Sequence, residues 1–503
     1  MTEHVDVLIV GAGISGIGAG YHLQAECPNR TYAILERRPQ IGGTWDLFRY
    51  PGIRSDSDMY TFGYSFRPWT DPKAIADGPA ILDYVRETAV EHGIDRKIRY
   101  GVQVKRASWS SEQSRWTVEA ESEESGEICR FHCNFLFMCT GYFNYDAGYT
   151  PEFDGVEDFG GSVVHPQKWT EDIEYAGKRV VVIGSGATAV TLVPELAKQA
   201  AHVTLLQRSP TYMVSAPAVD PMASWLRDKV SPQRVYSIIR WRNILFGLAF
   251  FKFCRRWPER ARKLLVAGVK KQLGSDYEIG THFNPRYNPW DQRLCLVPDA
   301  DLFESIKAGT TSVVTDEIDR FTEKGILLKS GQELPADLVV TATGLDLKFL
   351  SDLEFTVDGE CRDVSESITY KSMMFSDIPN LASSFGYTNA SWTLKCDLTC
   401  EYVARLLNYM EENGYRRCVP RCNRDAVEVE KMLDLNSGYV ERSAHKFPMQ
   451  GKKSPWRLYQ NYLLDSLTIR HARVGDPELE FSRQAPQRVK DQRTESDPER
   501  HVA

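Results

Sequence analysis

The 503-residue chain is long enough for two large domains or three small ones, and its 42% hydrophobic and 11% aromatic residues can fill sizeable cores. Its formal net charge of −7 argues against a nucleic-acid-binding protein, because phosphate binding requires a basic face. The N-terminal sequence MTEHVDVLIV lacks the basic start of a signal peptide. The apolar run ILFGLAFF at 244–251 is far shorter than the roughly 20 residues of a spanning helix. We therefore expect a cytoplasmic protein.

A glycine-rich turn follows the first predicted strand. Residues 5–10 (VDVLIV) form a short apolar run, typical of a strand that is buried on both faces of a parallel sheet. GAGISG then places Gly11, Gly13 and Gly16 before a helix-like segment, and the next predicted strand, TYAILE, ends in Glu36. This spacing suits a pyrophosphate at the helix N-terminus and a ribose 2′-OH at the acid. A glycine turn alone is weak evidence, but the complete strand, helix and acid predict dinucleotide binding.

The pattern recurs in KRVVVIGSGATAV, and the strand that follows it, HVTLLQRS, ends in an arginine instead of an acid. The segment predicts contacts to NADP from Ile183, Gly184, Ser185, Gly186, Ala187, Thr188, Ala189, Gln207, Arg208 and Ser209. A guanidinium at Arg208 suits a 2′-phosphate, whereas the alternative is a solvated arginine at a strand end. Two such sites predict an α/β chain with two Rossmann-like domains, binding FAD tightly and NADPH exchangeably, and hence a flavoprotein oxidoreductase.

A basic helical insert is predicted at about 222–275. Between Arg227 and Lys271 thirteen Lys/Arg residues stand against Asp228 and Glu259, and several aromatic residues lie among them. One hypothesis is that residues 222–272 make a weak peripheral contact with an anionic membrane. The alternative is a helical subdomain with a solvated basic face.

The eleven cysteines favour reduced thiols in a chain without a secretion signal. Three pairs have CxxxC spacing, which we interpret as small hydrophobic residues instead of a redox pair or a metal site. No zinc-type ligand set accompanies them, so no metal site is predicted. No vicinal cysteine pair follows Glu36, which argues against a disulfide reductase.

Two further patterns carry a family resemblance. GGTWDLFRYPGIRSDSD contains Gly43, Trp45, Tyr50, Pro51, Gly52 and Asp56 in the pattern GxWxxxxYPGxxxD. FGGSVVHPQKW contains Phe159, Gly161, His165 and Trp169 in the pattern FxGxxxHxxxW. Together they resemble the type I Baeyer–Villiger monooxygenases of the flavin-containing monooxygenase superfamily, whose N- and S-oxygenating relatives carry tyrosine at the last place. Thr170 departs from the Pro or Asp that follows in that family.

The resemblance extends from Val5 to about Arg470 and is particularly close to a mycobacterial member, through RYPGIRSDSDMY, VVVIGSGATAVTLVP, YNPWDQRLCLVP and YTNASWTLK. It implies that Asp56 and Arg293 are a catalytic pair in which the guanidinium stabilises anionic oxygen. It implies FAD contacts from Ser15, Gly43, Thr44, Trp45, Asp46, Leu47, Asp56 and Val104, and nicotinamide contacts from Arg54, Ser55 and Asp56. Gln292 stands where the family usually has a lysine that helps to bind the 2′-phosphate.

The function implied is a Baeyer–Villiger monooxygenase that converts small apolar ketones and O2 to esters or lactones through a C4a-peroxyflavin. The resemblance also implies oxidation of sulfides and thioamides. The alternatives are an N- or S-hydroxylating flavin monooxygenase, a disulfide reductase, an NADPH oxidase that releases peroxide, and a redox sensor without turnover.

The predicted domains follow from these motifs. Residues 1–147 and 376–482 form the FAD-binding domain, residues 148–375 the NADP-binding domain, and residues 483–503 a loose tail. Phe159, Gly161, His165 and Trp169 lie where the chain leaves the first domain, so we interpret them as a hinge that couples NADP binding to domain closure.

Overall fold

The computed structural model of the chain describes residues 2–433 and 436–483. Its largest layer is a sheet of nine strands, which we call the first sheet. In spatial order its strands are Glu360–Arg362, Glu354–Val357, Val102–Ser110, Arg115–Ser122, Ile128–Met138, Thr2–Val10, Tyr32–Leu35 and Ile98–Arg99, with Leu381–Ser383 also paired to Ile128–Met138. Thr2–Val10 is parallel to both of its neighbours, and Val7, Leu8 and Ile9 are fully buried. The apolar run therefore forms a central strand covered on both faces, as predicted.

The second sheet has five strands, all parallel. In spatial order they are Thr311–Thr315, His202–Gln207, Arg179–Ile183, Leu338–Thr341 and Ser162–Val164. Smaller paired strands are Met213–Ala216 with Cys295–Pro298, Ile318–Thr322 with Gly325–Leu328 and Glu333–Pro335, Thr369–Tyr370 with Met374–Phe375, Arg417–Pro420 with Leu479–Ser482, and Val429–Lys431 with Met449–Gly451.

A helix follows the glycine turn of each sheet, namely Ile14–Glu26 and Ala187–Leu196. The remaining α-helices are Thr44–Leu47, Met59–Phe62, Gly78–Glu91, Pro221–Arg227, Pro232–Arg256, Pro258–Leu273, Ile279–His282, Asp301–Lys307, Trp392–Glu412, Gly438–Ser443 and Tyr462–Asp465. The predicted α/β fold with two Rossmann-like units is confirmed.

The chain crosses between the two sheets twice, through residues 139–161 and 342–353. These two linkers are hydrogen-bonded side by side: Asn144 N donates to Asp346 O (2.9 Å), Tyr149 N to Gly344 O (3.0 Å), and Lys348 N to Tyr142 O (3.0 Å). Each crossing therefore supports the other, and the relative position of the two sheets depends on both.

The return to the first sheet comes earlier in the chain than predicted. Strands Glu354–Val357 and Glu360–Arg362 already extend the first sheet, because Glu354–Val357 pairs in parallel with Val102–Ser110. We therefore propose that the first domain resumes near residue 354, and not at the predicted residue 376. The predicted loose tail, apart from Arg483, lies outside the described residues.

The helical insert consists of Pro221–Arg227, Pro232–Arg256 and Pro258–Leu273. Val235, Tyr236, Ile239 and Ile244 of its long helix join the hydrophobic core of the first domain. The insert is thus packed against the half of the molecule that carries the first sheet, although its sequence follows the second glycine turn. Across the two described ranges, 2–433 and 436–483, no helix has the length and apolar character needed to cross a bilayer.

Candidate active site

A cavity of about 1050 Å³ lies between the two glycine turns. The predicted site residues that line it are Gly11, Gly13, Ser15, Glu36, Gly43, Thr44, Trp45, Arg54, Ser55, Asp56, Val104, Ile183, Gly184, Ser185, Gly186, Ala187, Thr188, Arg208, Ser209 and Arg293. Residues from both sheets, the 42–58 segment and the 292–296 segment thus share one space. Its volume is large for a single small molecule, since ordinary ligand pockets measure about 300–1,000 Å³.

The first glycine turn leaves room for a ligand at the start of helix Ile14–Glu26. Gly11 has φ +104°, and a Cβ there would lie 2.5 Å from the carbonyl oxygen of Cys139, so only glycine fits. The Ser15 hydroxyl, in the first turn of the helix, accepts a 2.8 Å hydrogen bond from Trp392 Nε1. The neighbouring backbone N–H groups form a favourable site for phosphate.

Glu36 directly follows strand Tyr32–Leu35 of the first sheet, with its carboxylate in the cavity wall. Its Oε2 accepts from Ala12 N (2.7 Å) and its Oε1 from Arg38 N (2.9 Å), which fixes the carboxylate beside the glycine turn. Burial raises the pKa of Glu36, although these backbone hydrogen bonds oppose the shift. The remaining lone pairs can accept from ribose hydroxyls.

The second glycine turn repeats this geometry. Gly184 has φ +138°, and a Cβ there would clash with the carbonyl of Ala342. A Cβ at Gly186 would meet no atom within 4 Å, so the cavity opens directly over this residue. Arg208 and Ser209 are exposed at the cavity edge, where a ligand can reach them.

Asp56 and Arg293 form an ion pair in the cavity wall. Arg293 Nε lies 2.8 Å from Asp56 Oδ2, and Arg293 Nη1 donates a longer hydrogen bond of 3.4 Å to Thr388 O. The Asp56 carboxylate raises the pKa of Arg293 above its ordinary value, against the opposing effect of desolvation. The guanidinium side chain is 32% exposed, so a permanent cation faces the cavity.

The YPG segment brings the two domains together at this point. Gly52 has φ +74°, and a Cβ there would lie 2.9 Å from Glu195 Cβ on helix Ala187–Leu196. Tyr50 packs in the core of the second domain, and burial raises its pKa to about 12, opposed by a hydrogen bond with Thr188. The YPG turn therefore lies between Trp45 and Asp56 and contacts helix Ala187–Leu196, which follows the second glycine turn. This contact accounts for the glycine of the motif.

Five of the predicted cofactor-binding residues do not line the cavity: Gly16, Asp46, Leu47, Ala189 and Gln207. The side chains of Asp46 and Gln207 are both bonded within the protein. Asp46 is 1% exposed and pairs with Arg38 and Arg49, both at 2.6 Å. Gln207 is 1% exposed, and its Nε2 donates to His282 O (2.8 Å) and Thr315 Oγ1 (3.0 Å). Both polar side chains stabilise local structure instead of facing a ligand.

Of these five residues, the other three are glycine or apolar and have packing roles. Gly16 abuts the carbonyl of Gly11, where a Cβ would clash. Ala189 is fully buried, and Leu47 packs against the core of the second domain. They shape the two turns without contacting the cavity.

His165 joins the two linkers. Its Nδ1 accepts from Gln167 N (3.2 Å), so its Nε2 carries the proton and donates to Gly344 O (3.2 Å). The ring also lies against Gly148, where a Cβ would clash with Cε1, and burial lowers the His165 pKa. A neutral imidazole thus contacts both crossings of the chain, which supports the hinge interpretation.

The rest of the FxGxxxHxxxW pattern is structural. Phe159 and Trp169 are each 8% exposed, and Trp169 packs edge-on against Tyr175 at 6.0 Å. A Cβ at Gly161 would lie 2.5 Å from the carbonyl oxygen of Asp337. None of the four pattern residues lines the cavity.

Several aromatic residues of the cavity wall were not predicted from the sequence, among them Tyr142, Tyr145, Trp392 and Tyr439. Tyr142 stacks on Trp392 with ring centres 5.2 Å apart, and Tyr145 and Tyr439 also line the cavity. Burial raises the pKa of Tyr142 and of Tyr439, so both hydroxyls stay protonated beside Arg293. For Tyr142 and Tyr145, the feature that could have indicated a place in the cavity wall is the segment CTGYFNY, which directly follows strand Ile128–Met138.

Comparisons with known proteins agree with this architecture. A model of the flavin-binding monooxygenase-like family matches residues 5–377. The chain is 53% identical over 484 residues to the FAD-containing monooxygenase EthA of Mycobacterium tuberculosis, covering 96% of this chain and 99% of that protein. The chain belongs to the flavin-binding monooxygenase-like family. This flavin monooxygenase is also 51% identical over 484 residues to EthA of Mycolicibacterium smegmatis, covering 96% of this chain and 98% of that protein.

Solved structures share the fold of this flavin monooxygenase. An oxidized steroid monooxygenase bound to NADP covers 95% of this chain and 99% of its own, with a TM-score of 0.76 and 23% identity. An open structure of cyclohexanone monooxygenase covers 95% of this chain and 100% of its own, with a TM-score of 0.74 and 20% identity. The predicted superfamily and the close mycobacterial relative are both confirmed.

Proposed function

We propose that this flavin monooxygenase uses FAD, NADPH and O2 to insert one oxygen atom beside the carbonyl of small apolar ketones, giving esters or lactones. We further propose that it oxidises sulfur in sulfides or thioamides. The observation that carries the proposal is the Asp56–Arg293 ion pair in a cavity shared by two dinucleotide-type turns.

The residues present fit both cofactors. Gly11, Ser15 and Glu36 surround the first turn with open backbone donors and a carboxylate for a ribose, as FAD requires. Gly186 opens the second turn, and Arg208 with Ser209 at its edge suits the 2′-phosphate of NADPH. The flavin, once reduced by NADPH, supplies the chemistry that activates O2.

Arg293 and Asp56 are the proposed catalytic residues. Arg293 stays cationic throughout, since Asp56 stabilises its charged form, and it offers donors to the oxygen anion that develops on the substrate carbonyl. Asp56 orients the guanidinium through Nε, and Arg293 lines the cavity while its Nη1 donates to Thr388 O. Tyr142, Trp392 and Tyr439 enclose this cation with aromatic surface, which suits apolar substrates.

Product analysis tests the assignment directly. The purified protein would be given NADPH, O2 and a panel of ketones, amines and thioethers, with mass spectrometry of the products. We expect esters or lactones, and sulfoxides from the thioethers. Consumption of NADPH with only hydrogen peroxide as product would contradict the assignment and favour an NADPH oxidase. Oxidation of amines and thioethers without any ester would favour the N- or S-hydroxylating alternative.

The Arg208→Ala variant tests the 2′-phosphate contact. Loss of a hydrogen bond to a charged group corresponds to about 1.5–3 kcal/mol. We therefore expect the KM for NADPH to rise about 10- to 100-fold, with the KM for NADH nearly unchanged. Lys307→Ala, which removes a surface cation paired with Glu304, is the matched control. An unchanged ratio of the two KM values would remove Arg208 from the site.

The His165→Ala variant tests the hinge. It deletes the contacts of the imidazole with Gly344 and Gln167 without replacing a residue that lines the cavity. We expect turnover to fall by roughly tenfold with full FAD content, because misplacement of parts far from the chemistry slows catalysis. His202→Ala, at a hydrogen bond to Ser312 inside the second sheet, is the control. A normal rate of flavin reduction together with a normal product yield would argue against the hinge.

A further inference from the structure

Helix Pro232–Arg256 exposes a continuous stripe on the face opposite to the one that it buries. On its inner face Tyr236, Ile239 and Arg240 are buried against the first domain. Residues spaced by three or four positions share one face of a helix. The stripe, which we call the 234–256 stripe, consists of Arg234, Ile238, Trp241, Leu245, Ala249, Lys252 and Arg256, all exposed.

The order of residues along the stripe is unusual for a surface helix. Its centre is apolar, with Trp241 at 45% and Leu245 at 51% exposure, and the adjacent Phe246 is 70% exposed. Cations stand at both ends, Arg234 at the N-terminal end and Lys252 and Arg256 at the C-terminal end. The helix contains no Asp or Glu. A solvated basic face would carry charge along its middle, which is not what this helix shows.

The neighbouring helices continue both features. Trp225 on Pro221–Arg227, Trp257 at the start of Pro258–Leu273, and Leu264 further along it are 61%, 46% and 58% exposed. Residues 221–273 contain thirteen Lys/Arg against two acids, although the whole chain carries a formal net charge of −7. Contiguous exposed apolar surface with a rim of one charge marks an interaction site. The positive rim requires a negatively charged partner.

We propose that the 234–256 stripe docks this protein onto an anionic phospholipid bilayer, with the helix lying in the plane of the interface. A helix of 25 residues is about 37 Å long, and its apolar centre can sink into the acyl boundary. Arg234, Lys252 and Arg256 then reach the phosphate headgroups beyond the two ends of the apolar segment. An acidic protein surface without apolar groups would pair with the cations but would offer no apolar contact to Trp241 and Leu245.

The docked face adjoins the loop that carries the catalytic arginine. Phe251 packs edge-on against Trp290, with ring centres 5.4 Å apart, and Arg255 Nη1 lies 3.0 Å from Asp291 Oδ1. Two residues further along the chain from Asp291 is Arg293. If the proposed function holds, the bilayer is a reservoir of apolar substrate next to the cavity. The docking itself does not depend on that function.

Vesicle flotation tests the docking. The full chain with FAD would be floated with vesicles of phosphatidylcholine containing one-third phosphatidylglycerol, and with phosphatidylcholine alone. We expect co-flotation with the anionic vesicles at low salt, weaker flotation at high salt, and none with neutral vesicles. The double variant Lys252→Glu/Arg256→Glu should lose more than about tenfold of its partitioning, since each cation near the surface contributes about fivefold.

A matched control and a spectroscopic readout locate the contact. Lys270→Glu/Lys271→Glu makes the same charge change on exposed residues outside the stripe, and should reduce partitioning by less than about threefold. Brominated lipid should quench more tryptophan fluorescence in the wild-type protein than in Trp241→Phe.

Three results would overturn the proposal. They are absence of wild-type flotation at low salt, equal losses in the stripe and control variants, and quenching that is unchanged in Trp241→Phe. Sedimentation of the same samples identifies the rival occupant. A wild-type dimer that Trp241→Ser/Leu245→Ser converts to a monomer, without any flotation, would assign the stripe to a second copy of this chain.

Discussion

The Arg293→Ala variant is expected to lose oxygenated product by about 10²–10³-fold while NADPH still reduces the flavin. The reason is that its guanidinium, held by Asp56 at 2.8 Å, is the permanent cation facing the cavity from the 292–296 segment. The measurement combines product mass spectrometry with stopped-flow reduction and hydrogen peroxide release. NADPH consumption should continue, with the oxygen released as peroxide.

Two companion variants make the result specific. Arg293→Lys retains a positive charge but not the planar fork that pairs with a carboxylate, so we expect only partial recovery of product. Arg286→Ala removes an exposed arginine seven residues earlier in the chain and should behave as wild type. The FAD content of each variant is measured separately, so that lost binding is not mistaken for lost catalysis. Wild-type product yield in Arg293→Ala would refute the assigned role.

The Arg240→Met variant is expected to lower the free energy of unfolding by about 3–5 kcal/mol, because it removes one of the cations that stabilise a buried carboxylate. Arg240 is 7% exposed, and its Nη1 donates to the carbonyl oxygens of Tyr60 (2.9 Å) and Gly63 (2.8 Å). Its Nη2 lies 3.5 Å from Asp397 Oδ2. Burial raises the pKa of Asp397, but His22 and Arg240 lower it overall, so the carboxylate stays charged.

Urea unfolding followed by circular dichroism measures this effect. Arg234→Met on the same helix is the control, because Arg234 is exposed and surface substitutions change stability by no more than about 0.5 kcal/mol. A loss below about 1 kcal/mol in Arg240→Met would show that the buried pair contributes little. The effect should also reach the cavity, since residues 60–63 closely follow Asp56 in the chain.

Local sequence patterns predicted the two dinucleotide-type turns well. Gly11 and Gly184 are required by their positive φ angles and by close carbonyls, and Glu36 directly follows its strand beside the first turn. These features depend on residues that are near one another in the chain, so the spacing of the residues is enough to predict the geometry of the turn. The same reasoning did not indicate the partners of Asp46 and Gln207, because a polar residue near a motif can equally well bond to the protein itself.

Other features depend on partners that are remote in the chain. Arg240 and Asp397 are 157 residues apart, and nothing near either residue indicates the other. The linkers show the same limit: the pattern around His165 marked a hinge, but its partner Gly344 lies 179 residues away. The sequence also gave no indication that residues 354–362 return to the first sheet, because strands this short show little alternation of apolar and polar residues.

By itself the sequence determined the α/β class, the two glycine turns and their strand-end residues, because short-range backbone geometry requires particular residue types at particular spacings. Only the tertiary structure decided which of these residues share a cavity, how the linkers are joined through His165, and that the insert packs on the first domain. It also decided that the basic helix presents an apolar centre to solvent instead of a charged one. Which face of a helix is buried depends on the shape and charge of its partner surface, and that surface exists only once the chain has folded.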